Sequence, residues 1–194
     1  MALLMGVLWP LQRINDVLLA IGRVVAMSAL AVMVLFILYQ IVMRYVFNAA
    51  PNWTEEGARF LMLWMTGLIG PLAYRQGGFV AIDMLERAIP MFLSRLLVLV
   101  LLILIMGVIA QCVLLGWDNV NSFIGRGSSA TLRLPLDWFG GTAMKFKNSW
   151  AFASLFVGFC LLALVNIELI LRQLITIIGG ADRLKPLAEA GPID

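Results

Sequence analysis

Residues 44–75 read RYVFNAAPNWTEEGARFLMLWMTGLIGPLAYR. The stretch leaves one apolar run at Arg44, turns at Pro51, and opens a helix whose first turns hold Trp53, Glu55, Glu56 and Arg59. From Phe60 to Tyr74 it carries no charge, and it closes on Arg75 followed by Gly77 and Gly78. Charges crowded into the first turns of an otherwise apolar helix mark a segment that enters lipid from a polar boundary. Glu55 and Glu56 suit the positive end of the helix dipole, and Arg75 suits the negative end. Asn52 stands where a capping residue belongs, with Glu55 at the third position of a capping box. Glu55 also precedes Arg59 by four residues, the favourable order for a helical ion pair.

Composition agrees with this reading. The chain is 62% hydrophobic and 13% charged, with a mean hydropathy of +0.99, whereas soluble domains are about 45–50% apolar and about 25% charged. The formal charge of +3 is spread over the ends of apolar segments. Membrane topology uses Lys and Arg in that way, and no dense basic run points to nucleic acid. Histidine is absent, which argues against His-ligated haem and against His-based metal sites. Cys112 and Cys160 lie inside apolar runs and read as small packing residues. No cofactor is called for.

A membrane span needs about 20 apolar residues. Four segments qualify: roughly 17–43, 53–74, 91–117 and 149–170. Arg23 interrupts the first near its start, where a long side chain can snorkel to the headgroups. No stretch alternates with period two as a membrane barrel requires. The fold class is therefore an all-α integral membrane protein, residues 1–194 forming one membrane domain of four transmembrane helices plus short interfacial amphipathic helices. Residues 80–89 read as such a helix, with Val80, Ile82, Leu85 and Ile89 against Asp83, Glu86 and Arg87. The apolar segment 1–9 is expected to lie at the interface, with Trp9 at headgroup depth. The connection 118–148 contains turn-like Gly127, Ser128 and Ser129, and around Pro135 it should dip back to the membrane or pack on a partner. Residues 179–194 form a polar tail. With the N-terminus inside, inner basic residues outnumber outer ones by eight to six.

Phe60, Trp64, Gly67, Pro71 and Tyr74 recur at helical spacing and place small residues beside aromatics, a surface suited to helix packing in lipid. The partner of that face is either this chain or another subunit. Glu168 reads in two ways: as an intramembrane carboxylate, or as an interfacial residue paired with Arg172 four residues on. Ser28, Gln40, Gln111, Ser154 and Asn166 are scattered singly. Transporters need clustered polar groups or broken helices near the midplane, so the transport site belongs in another polypeptide.

Several residues carry a family resemblance: Arg44-Tyr45-Val46-Phe47, Pro51, Trp53, Glu55-Glu56, Arg59 and Trp64, then Ala73, Arg75, Gly77-Gly78 and Asp83. With them, the chain resembles the DctQ-like small membrane subunit of tripartite ATP-independent periplasmic (TRAP) transporters. The resemblance is specific over about residues 44–90, and elsewhere it rests on length and a four-span layout. Phe79 stands where the family usually has His, and residues 138–148 depart from the family's apolar pattern. The resemblance implies a scaffold in the bacterial inner membrane with both termini cytoplasmic. It implies a large multi-span partner that carries an organic acid with a sodium gradient, and a periplasmic substrate-binding protein that docks on the complex. Trp53, Glu55, Glu56, Arg59, Trp64 and Arg75 are then the candidate contact residues. An anchor subunit of another complex and a small homo-oligomeric transporter are the competing readings.

Overall fold

A computed structural model describes residues 2–49, 51–77, 91–122, 127–134 and 144–180. Four helices dominate: α1 (Ala2–Tyr45), α2 (Asn52–Gly77), α3 (Met91–Asn121) and α4 (Ser149–Ile177). Two short strands, β1 (Ser128–Leu134) and β2 (Met144–Lys147), precede α4. By length and composition, α1, α3 and α4 are each apolar enough to cross a membrane. The 26-residue α2 is less apolar because its charged first turns count against it. The chain is a multi-pass helical membrane protein.

The helices differ from the sequence expectation mainly at their ends. The N-terminal apolar segment does not form a separate piece, for α1 runs unbroken through Pro10 from Ala2. At 44 residues it is about 66 Å long, over twice the hydrocarbon thickness of about 30 Å. Asp118 to Asn121, expected in the connection, continue α3. Residues 128–134, read as a turn followed by an apolar return, instead form β1. It pairs antiparallel with β2 in the register Arg133 to Lys145 and Leu134 to Met144, with an irregularity towards Ser128. Backbone leaving a helix must find partners for its N–H and C=O groups, and the hairpin supplies them. The expected interfacial helix 80–89, residues 135–139 and most of the tail lie outside the described residues. α4 ends in a Schellman turn: Gly179 is left-handed (φ 88°), and the Gly180 N–H returns to the Ile175 carbonyl.

The helices form an open row in the order α1, α2, α4, α3, with a lesser contact between α1 and α4. Small residues set the approaches. Gly22 of α1 lies against Leu68, and Gly116 of α3 lies against Phe156. At the centre Gly67 of α2 crosses Gly158 of α4 so closely that a Cβ on Gly158 would stand 2.8 Å from the Gly67 carbonyl oxygen. Each outer helix buries one stripe. On α1 it runs Leu8, Asn15, Leu19, Gly22, Ala26 and Ala29, with the three- and four-residue spacing of a helix seam. Much of the remaining surface of α1 is apolar and exposed, for example Val17, Ile21, Leu35 and Leu38. The main core, Leu19, Leu102, Val165 and Leu169, gathers at one end of the row.

Candidate functional site

At the end of the row where α4 begins, α2 presents the charged turn. Glu55 accepts from Arg59 one turn on, and both side chains are exposed. Such a pair contributes only about 0.3–0.5 kcal/mol. Trp53 lies against α1, edge-on to Phe36 at 5.5 Å and beside Tyr39 at 6.0 Å, and is still 40% exposed. Thr54 is fully buried and donates to the Pro51 carbonyl at 2.7 Å. The capping role expected of Asn52 is not seen: it is the first residue of α2, and its side chain makes no hydrogen bond with a described residue. The hairpin shares this end, with the Asn148 N–H on the Gly127 carbonyl and β1 against α2.

Halfway along, Phe60 and Trp64 meet with tilted rings at 6.3 Å. The Trp64 indole N–H is buried without a hydrogen-bond partner among the described residues. Below it, Gly67, Gly70, Pro71 and Tyr74 of α2 and Gly158 and Phe159 of α4 border an open apolar groove of about 350 Å³. Gly67 is consumed by packing within this chain, whereas nothing lies within 4 Å of where a Cβ on Gly70 would be.

The densest polar site lies at the other end of the helices. Glu168 of α4 is completely buried. Its Oε1 accepts from Arg75 of α2 at 2.8 Å and from Arg172 at 3.2 Å, and its Oε2 accepts from Asn15 of α1 at 2.7 Å. Arg75 also donates to Asp16 at 2.6 Å. Two cations and two anions thus balance inside one cluster that ties three helices together. One to two residues deeper, Tyr74 donates to the Asn166 side-chain oxygen at 2.7 Å, and the Asn166 amide donates to the Leu102 carbonyl of α3 at 3.1 Å. Nearer the α4 terminus, Gln173 donates to the Arg95 carbonyl and Arg95 to the Thr176 carbonyl. All four helices are therefore locked at this end.

The six residues singled out in the sequence do not form one site. Trp53, Glu55, Glu56 and Arg59 cluster at the start of α2, Trp64 lies midway, and Arg75 belongs to the polar cluster at the far end. Glu168 does pair with Arg172, and it is also a buried hub for Arg75 and Asn15. Asn15, Asp16 and Asn166 were not anticipated as members. Asn15 had one legible signal: it falls seven residues before Gly22 and fourteen before Ala29, on the seam of small buried positions. Among the described residues no three metal-capable side chains converge.

Fold and site together define a membrane component whose polar groups hold its own helices, with broad apolar faces left over. Comparison with known proteins places it more closely. Residues 33–176, well over half of the chain, match the model of the DctQ component of tripartite ATP-independent periplasmic transporters. The chain belongs to that family, which is a family of transporter components and not of enzymes. It is also 31% identical over 70 residues to a protein of Haemophilus influenzae assigned as a TRAP transporter small permease protein. That match takes in 36% of this chain and 44% of the relative, so the chain spans less than half the length of the curated relative it matches.

Proposed function

We propose that this subunit is a rigid scaffold on which a larger multi-span TRAP subunit is mounted. That larger chain would carry the substrate, an organic acid such as a carboxylate or sulfonate, and the coupling sodium ions. The observation that carries the reading is the open row. α1 and α3 each bury one stripe and leave the rest of a long apolar surface uncovered, while the buried ion pairs and Gly67 against Gly158 fix the helices relative to one another. A scaffold requires both properties. Intramembrane charges mark a solute pathway when they line a cavity. Here Glu168, Arg75 and Arg172 are engaged with each other, and the one described groove is apolar.

Orientation follows the positive-inside count: the end with Arg75, Arg172 and both termini faces the cytoplasm. The hairpin and the Glu55–Arg59 turn then face the periplasm and supply part of the surface on which the substrate-binding protein docks. Reconstituted uptake tests the reading. Liposomes holding this subunit, the large subunit and the binding protein should accumulate substrate with an imposed sodium gradient. Liposomes holding this subunit alone should not. Uptake by this chain alone would favour the homo-oligomeric transporter and end the scaffold reading.

A further inference from the structure

The hairpin before α4 has two unlike faces. Its register sets Arg133 of β1 directly opposite Lys145 of β2, and residues directly opposite in an antiparallel pair share a face. Lys147, two residues past Lys145, returns to that face by the period of a strand. Leu134 and Met144, the next opposed pair, take the other face, and Leu132 and Phe146 join them there. One face is therefore basic and the other apolar.

The helix packing does not call for the basic face. β1 lies against α2, a contact that suits the apolar face because it removes apolar area from water. Lys147 is exposed and makes no ion pair with a described residue. Like charges directly across a ladder are unfavourable, as Arg133 opposite Lys145 is. Topology adds a second conflict. In the orientation proposed above, the connection 118–148 faces the periplasm with Arg126, Arg133, Lys145 and Lys147 against Asp118 and Asp137. Those four are most of the six outer cations, although Lys and Arg favour the cytoplasmic side.

The level of the hairpin points to water. Gly116 of α3 packs on Phe156, and α4 begins seven residues before Phe156, about 10 Å further out. Asp118, the first charge after the apolar run of α3, is only about 3 Å further out. The hairpin thus joins the row about 7 Å beyond Asp118, and the headgroup layer adds about 5–7 Å on each side of the core.

We propose that the basic face of the hairpin receives an acidic face of the periplasmic substrate-binding protein and speeds its encounter with the complex. Charge complementarity selects an acidic partner. The position beyond the apolar run, with the apolar face on α2, selects a soluble one. The inference rests on the docking role and orientation given under the proposed function.

The test measures association of the binding protein with the two-subunit complex in nanodiscs of zwitterionic lipid. Arg133→Gln, Lys145→Gln and Lys147→Gln together should lower the association rate constant about tenfold at low ionic strength, with a smaller change in dissociation. Wild type and variant should converge at about 1 M salt, where the screening length is about 3 Å. Arg133→Lys with Lys145→Arg and Lys147→Arg keeps the charge and should keep the wild-type rate, which separates charge from folding. Equal rates for the neutralised and wild-type complexes would overturn the inference and leave the cations to protection of the strand edges. A loss seen only in discs containing phosphatidylglycerol would also overturn it and assign the face to anionic lipid. Absence of any binding to the wild-type complex would instead overturn the docking role itself.

Discussion

Replacing Glu168 by Gln keeps the shape of the side chain and removes the charge on which the polar cluster closes. The wild-type carboxylate accepts from Arg75 and Arg172, and each of those side chains is only 11% exposed. After the change Asp16 is the remaining carboxylate of the cluster among the described residues, and it is 58% exposed. The new amide group also meets the Asn15 amide, donor against donor. Asn15 cannot flip without giving up its bond to the Leu164 carbonyl. Removing one partner of a buried ion pair costs about 3–5 kcal/mol. Because Gln still offers one acceptor oxygen, the lower end, about 3 kcal/mol, applies here, or about 150-fold in the folding equilibrium. Unfolding of the purified subunit in mixed micelles, titrated with a denaturing detergent and followed by tryptophan fluorescence, would measure it. Adding Arg172→Gln should recover part of the loss, since one stranded cation is then removed. A loss below about 1 kcal/mol would mean that water reaches the cluster, and the buried-hub reasoning would be wrong.

Other outcomes follow from the same contacts. Gly158→Ala should destabilise the subunit by about 1–3 kcal/mol because its methyl group meets the Gly67 backbone, whereas Gly70→Ala should be neutral in the same assay. Tyr74→Phe deletes the donor to Asn166 and should cost about 1–2 kcal/mol by leaving that buried oxygen without it. Glu55→Gln combined with Glu56→Gln should leave insertion and detergent stability within about 0.5 kcal/mol, because the Arg59 pair is exposed. Uptake by the complex should nevertheless fall, and wild-type uptake would reduce this turn to a helix start and nothing more.

The helical layout was legible because long charge-free runs bounded by Arg and Glu admit few other readings. The α2 start was legible from Glu55 to Arg59 for the same reason. Other features were hidden in tertiary register. Asn15 and Glu168 lie in different helices, far apart in sequence, and meet only once α1 and α4 are antiparallel at a particular offset. A local pattern offered Arg172 as the partner of Glu168, which is correct but is only one of three donors. The hairpin had a local signal that the sequence reading passed over: Thr131 to Leu134 and Met144 to Lys147 each alternate polar and apolar residues, but over only four residues inside a connection.

The central claim is that this chain is one part of a larger transporter. Affinity purification from the native membrane in mild detergent, with co-purifying proteins identified and quantified by mass spectrometry, tests it most directly. A stoichiometric, much larger multi-span protein is the predicted result. Recovery of this chain alone, stable and monodisperse, would contradict the account.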